Sequence, residues 1–204
     1  RKVQGAKIAA GTWASGGNMN QAGEGGAMAG IQTAAFYAGG NRPGSDTSAL
    51  SEEYDGSAWA EGSNLNTGRR SVPGAGTQTA GLCISGIDPA KANVEHYDGT
   101  SWSEEADVNS ARGYCEATGT TTAALFWGSP ATEQWNGTAW TEVADLNTAR
   151  NQSTGNTGTS TAALAAGGPP GRAVVETWDG SSWTEIADLN TGRGNLGGGG
   201  TTSL

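Results

Sequence analysis

Short apolar runs closed by glycine recur along the chain, separated by stretches rich in Gly, Ser, Thr and Asn. Two of them are Ala35-Phe36-Tyr37-Ala38-Gly39-Gly40 and Ala163-Leu164-Ala165-Ala166-Gly167-Gly168, and two further copies end on a single glycine, Gly86 and Gly128. Runs this short, bounded by turn residues, predict buried β-strands rather than helices. After each run comes a polar segment, then an aromatic, a tight turn and a tryptophan: Tyr54-Asp55-Gly56-Ser57-Ala58-Trp59, Tyr97-Asp98-Gly99-Thr100-Ser101-Trp102, Trp135-Asn136-Gly137-Thr138-Ala139-Trp140 and Trp178-Asp179-Gly180-Ser181-Ser182-Trp183. Asp-Gly and Asn-Gly are hairpin signals, because such turns need residues that tolerate positive φ. Each turn therefore has one strand before it and one after.

The pattern is an internal repeat. A degenerate fifth copy ends at Trp13, since 13–20 aligns with 59–66, and Trp13, Trp59, Trp102, Trp140 and Trp183 lie 46, 43, 38 and 43 residues apart. That period is the blade length of β-propellers. Each unit continues with an Asn-rich turn ending in Arg (66–69, 109–112, 147–150, 190–193), a Gly- and Ser-rich strand, and a Gly-Thr-x-Thr-Ala turn leading into the apolar strand (76–80, 119–123, 158–162). Four short strands per unit predict an all-β fold: a β-propeller of four-stranded antiparallel blades, one domain over 1–204. Trp13 ends a blade that does not begin upstream of it, and 201–204 begin a new Thr-rich turn. Five blades are expected, with the closing blade shared by residues 1–18 or so and about 194–204. The alternatives are part of a larger ring, or a ring closed by another chain. Small residues on the innermost strand, as in 194–200, suit strands crowding toward an axis.

The apolar strand closed by Gly-Gly, the later aromatic and the Trp after a short turn resemble the kelch motif of galactose-oxidase-type propellers, over essentially the whole chain. Two copies depart from it by keeping only Gly86 or Gly128. The wording of the repeat also resembles kelch-like structural proteins predicted in marine bacteriophage genomes. The first resemblance implies the blade but not the chemistry of galactose oxidase, whose copper is held by tyrosine and histidine ligands. This chain has one histidine, His96, at a strand position where other copies have Glu53, Gln134 and Thr177.

Composition sharpens what such a chain can do. Thirty-five glycines with only 35% hydrophobic residues could signal disorder, but the low charged fraction (15%) and eight tryptophans argue for an ordered chain. A net charge of −9 removes nucleic acid as a default partner. No run of about eighteen apolar residues is present, so no membrane insertion by a helix is expected. No Ser–His–Asp set can be assembled without His96, and there is no Gly-x-Ser-x-Gly elbow. Asp55, Asp98 and Asp179 sit where Asp serves turn geometry. No His/Cys cluster or acidic loop suggests a metal or other cofactor. A non-enzymatic protein is expected. Cys83 and Cys115 are either packed strand residues or an interblade disulfide.

Ten residues after each repeat Trp sits Arg69, Arg112, Arg150 or Arg193, and seven before it sits Glu52, Glu95, Glu133 or Glu176. In the degenerate copy both positions are uncharged, Gly23 and Ala6. Joint absence favours a structural Glu–Arg pair clipping two strands or two blades over a ring of arginines for an anionic ligand. The segments after the apolar strands vary most and should cluster on one face of the ring, where recognition is usual. Candidate binding residues there are Asn41, Arg42, Asp46, Asp88, Lys91 and Arg172. Trp127, beside Phe126, is expected to pack in a strand rather than stack on a sugar. The functional expectation is a structural or decoration protein of a phage particle or other extracellular assembly, binding other subunits, further copies of itself included. The alternatives are a glycan-binding propeller acting on surface sugars, and an intracellular, cytoplasmic kelch-type adaptor.

Overall fold

The computed structural model describes residues 15–153 and 157–200. Trp13 and most of the first copy of the repeat lie outside the described residues. Four four-stranded antiparallel sheets follow one another in chain order, each a simple meander. The first comprises β1 (Ala27–Ile31), β2 (Ala34–Ala38), β3 (Ser51–Tyr54) and β4 (Trp59–Glu61). The second comprises β5 (Gly74–Thr77), β6 (Ala80–Gly86), β7 (Lys91–Tyr97) and β8 (Trp102–Glu105). The third is β9 (Glu116–Thr120), β10 (Ala123–Trp127), β11 (Thr132–Trp135) and β12 (Trp140–Val143). The fourth is β13 (Gly158–Thr159), β14 (Ala162–Ala166), β15 (Val175–Trp178) and β16 (Trp183–Glu185). These are the blades of a β-propeller.

The cores lie between blades rather than within them. Phe36 of blade one meets Trp102 of blade two edge-on at 5.5 Å, and Trp127 of blade three meets Trp183 of blade four at 5.5 Å. Three separate apolar clusters fill the three successive interfaces. A thin sheet of small residues is stable here because both its faces are covered. The outermost strands carry exposed Glu61, Glu104, Glu142 and Glu185. Charge on these edge strands discourages pairing with other chains.

A five-fold repetition runs around the axis. Where the innermost strand turns toward the apolar one, Gly30, Gly76, Gly119 and Gly158 have φ of 130, 98, 118 and 99°, and Gly200 adds a fifth at 104°. A Cβ at Gly158 would lie 1.9 Å from the carbonyl oxygen of Ala162, so this position requires glycine. Residues 194–200 occupy the fifth place: the Gly158 N–H donates to the Gly200 carbonyl at 2.8 Å, and one axial cavity joins Met28 and Gly30 to Gly198 and Gly200. Four blades are complete among the described residues. The N-terminal share expected for the fifth lies outside them.

Each hairpin closes on an acid. Asp98 Oδ1 accepts from the Thr100 hydroxyl at 2.7 Å and from the backbone N–H groups of Thr100 and Ser101 at 2.8 Å. Asp55 and Asp179 repeat the arrangement, and Asn136 does so with its amide oxygen. These donors favour the ionised form: the backbone N–H of Ala58 and of Ser182 holds Asp55 and Asp179 down, and the Thr100 hydroxyl holds Asp98, each at about 2. A carboxyl depressed on folding contributes stability above its unfolded value, and that contribution is lost as pH falls through the folded value. Melting temperature is therefore expected to decline between about pH 4 and pH 2. Asp98→Asn, which imitates Asn136, should make that decline shallower in thermal melts across the range.

Candidate functional site

The repeated glutamates and arginines meet across blade boundaries. Arg69, at the end of blade one, contacts Glu95 on β7 of blade two at 2.6 Å, with both side chains fully buried. Arg150 and Glu176 repeat this between blades three and four at 2.5 Å, again fully buried, and Arg112 and Glu133 do so between blades two and three at 2.5 Å. Each carboxylate is also held by the Asn-rich turn. Glu95 accepts from the Asn66 N–H at 2.7 Å, the Asn66 side-chain amide at 3.1 Å and the Thr67 N–H at 3.2 Å. Glu176 accepts the equivalent bonds from Asn147 and Thr148. Burial alone would raise the Glu176 carboxyl, but the Asn147 N–H and the Arg150 guanidinium bring it below the usual value.

This geometry corrects one inference from the repeat. The clasp joins the arginine of one copy to the glutamate of the next, so Gly23 and Ala6 are not each other's lost partners. The arginine absent at Gly23 would have met Glu52, while Ala6 lies outside the described residues. Glu52 is rescued by Arg42, whose Nη1 lies 2.6 Å from its Oε1, while the N–H groups of Asn20 and Gln21 complete the cradle at 2.6 and 3.2 Å. Arg42, expected on a binding face, is 3% exposed and belongs to the scaffold. A compensating arginine arising from a different strand-connecting loop has no signature in the repeat.

Of the remaining candidates, Asn41 and Asp46 line one cavity beside Arg42. Asn41 pairs with Glu24 through both backbone and side chain, Asp46 is exposed on the 43–46 turn, and Asp88 forms a surface ion pair with Arg70. Lys91 opens β7, and Arg172 is half-buried beside Arg193, whose N–H donates to its carbonyl at 3.0 Å. Trp127 is completely buried, with its indole N–H 3.4 Å from the Ser153 hydroxyl. His96 sits on β7, its Nδ1 3.5 Å from Glu105. Cys83 and Cys115 are free, buried thiols in different interblade clusters; desolvation pushes Cys115 up to about 12 and Cys83 still higher.

What draws the loops together is the mouth of the axis, which the variable segments suggested only indirectly. Two residues beyond each arginine position stand Gly25, Ser71, Tyr114, Gln152 and Asn195, with φ of 66, 52, 59, 48 and 55°. One left-handed backbone position is thus occupied by five different residue types, and the side chains surround one opening. A cavity of about 640 Å³ there is lined by Glu24, Asn41, Arg70, Ser71, Tyr114, Gln152 and Asn195, among others. Backbone bonds tie neighbouring ring members, Val72 N–H to the Gly25 carbonyl at 3.2 Å and Gln152 N–H to the Tyr114 carbonyl at 2.9 Å. The loops after the apolar strands brace it from outside, as Ser129 N–H does on the Arg150 carbonyl at 3.1 Å. Tyr114 is 40% exposed. Deeper along the axis Glu116 stands beside Tyr114, Pro73 and Gln152, and burial raises its carboxyl well above the ordinary value. The signal for this ring was in the chain: immediately after a constant arginine, the residue types stop repeating.

The mouth offers hydroxyl, amide, guanidinium and aromatic groups. Among the described residues no three His, Cys, Asp or Glu side chains gather as metal ligands would. Among the described residues no helix is long and apolar enough to cross a membrane. No family model and no curated protein matches the chain. Among solved structures, that of YjhT is similar with a TM-score of 0.70 at 11% identity, covering 86% of this chain and 68% of its own. The shared feature is the fold. YjhT has a propeller-like fold, in keeping with the four antiparallel blades seen here.

Proposed function

We propose that the chain is a non-catalytic binding propeller serving a particle or other extracellular assembly, and that it engages its partner protein with the mouth bearing Ser71, Tyr114, Gln152 and Asn195. The carrying observation is the contrast at that mouth. Three repeated glutamate–arginine pairs are consumed in clasps between blades, whereas equivalent backbone positions around the axis carry five different residue types. A rigid rim with side chains free to differ is the usual arrangement for recognition. The kelch-like blade and the phage-like wording of the repeat support the assembly setting.

A glycan is the second reading, favoured by the exposed Tyr114 ring beside the amide of Gln152, since a flat aromatic face and planar polar groups suit a sugar. The test compares wild type with Tyr114→Ala and Arg70→Ala, using the exposed Ile186→Ala just beyond β16 as a control. Tagged protein is cross-linked in its source cells, and the same proteins are presented to a glycan array. A cross-linked partner reduced roughly tenfold by Tyr114→Ala but unaffected by Ile186→Ala supports protein binding. Sugar binding lost in Tyr114→Ala supports the glycan. Partner recovery indifferent to both mouth variants overturns the assignment of the mouth.

A further inference from the structure

The described residues include seven arginines, and five are ion-paired: Arg42, Arg69, Arg70, Arg112 and Arg150. The two without a carboxylate, Arg172 and Arg193, are joined by the backbone bond between them. Arg193 closes the sequence Asn190-Thr191-Gly192-Arg193, which is identical to Asn66-Thr67-Gly68-Arg69. In that earlier copy the Asn and Thr N–H groups, the Asn side-chain amide and the guanidinium converge on one buried glutamate. Copies 109–112 and 147–150 hold Glu133 and Glu176 in the same manner.

Around 190–193 the sequence and the backbone bond to the preceding loop are kept, but the acid is missing and Arg193 is exposed where Arg69 is buried. Asn190, Thr191 and Arg193 are exposed, and among the described residues no carboxylate meets them. None of the residues outside the described ones is Asp or Glu, and the repeat position that should supply the acid is Ala6. Four donors that elsewhere in this molecule bind one carboxylate are here unspent. A charge-assisted, multiply donated site of this kind is selective for a carboxylate.

We propose that Asn190, Thr191 and Arg193 form a receptor for a glutamate side chain carried on an extended segment of a partner chain. The ligand's sequence follows from the three filled copies. In each, the clasped acid is followed two residues later by a buried aromatic: Glu95 and Tyr97, Glu133 and Trp135, Glu176 and Trp178. A Glu-x-aromatic strand is therefore the segment that fits. This site uses residues other than those of the axial mouth, and either assignment can fail without the other.

The probe is a capped peptide of sequence Val-Val-Glu-Thr-Trp, copied from residues 174–178. It is titrated into the full chain while the backbone amides of Asn190 and Thr191 and the Arg193 side chain are followed by NMR. These three signals should move together and saturate, with binding weakened roughly tenfold or more by Glu→Gln in the peptide or Arg193→Met in the protein. Arg193 is exposed, so the variant should melt with the wild type. Sodium acetate supplies the same carboxylate without a strand. Shifts by acetate at the peptide's own concentrations would overturn a strand-borne ligand, and amides unmoved by peptide would overturn the receptor itself.

Discussion

Arg150→Ala is expected to destabilise the protein by about 3–5 kcal/mol, because it leaves Glu176 charged, buried and robbed of its guanidinium. For a chain of this size that is a fall in melting temperature on the order of 10 °C. Arg193→Ala removes the same residue type from the same repeat position, yet that side chain is exposed and clasps no acid. Its melt should be nearly unchanged, since isolated surface charges contribute roughly 0–1 kcal/mol. The pair of variants separates a scaffold role from a general effect of arginine. Equal losses at both positions would mean that clasps are not what joins the blades.

Trp183→Ala should have an effect of similar size for a different reason. Trp183 is 5% exposed, packs on Trp127 of the preceding blade and on Trp178 of its own, and donates its indole N–H to the Thr132 hydroxyl at 3.0 Å. Removing it opens a cavity within an interblade core and leaves Thr132 without that donor. Large-to-small changes of this kind cost about 3–5 kcal/mol. Denaturant unfolding followed by circular dichroism reads the change as a lower midpoint. Trp59 occupies the equivalent repeat position but is only half-buried, so Trp59→Ala should cost markedly less. A larger loss at Trp59 would contradict the placement of the cores between blades.

Blade architecture was legible because it depends on local rules repeated four times. Asp-Gly and Asn-Gly turns, glycine-closed apolar runs and a tryptophan at a fixed offset each specify one piece of a four-stranded meander. The participation of Glu95, Glu133 and Glu176 in clasps was legible too, since a charge recurring in a charge-poor chain needs a partner. Which arginine each glutamate meets was not. Spacing along one copy cannot tell contact within a blade from contact with the next, because in a ring both are close in space. Arg42 was misplaced for the same reason: a loop arginine looks exposed until the missing charge at Gly23 creates a buried vacancy beside Glu52. The axial mouth was hidden behind single residues after each arginine, too few to read as a loop. Only their shared left-handed backbone and common orientation about the axis bring Ser71, Tyr114, Gln152 and Asn195 to one opening.

A double-mutant cycle on Arg150 and Glu176 tests the central claim most directly, using Arg150→Met, Glu176→Gln and the combined variant in equilibrium unfolding. Contact between fully buried, hydrogen-bonded partners predicts strong coupling, about 2–3 kcal/mol, with the double variant much more stable than the sum of single losses would allow. Simple additivity, within about 0.5 kcal/mol, would show that the two residues act independently and that the blades are held together by something else.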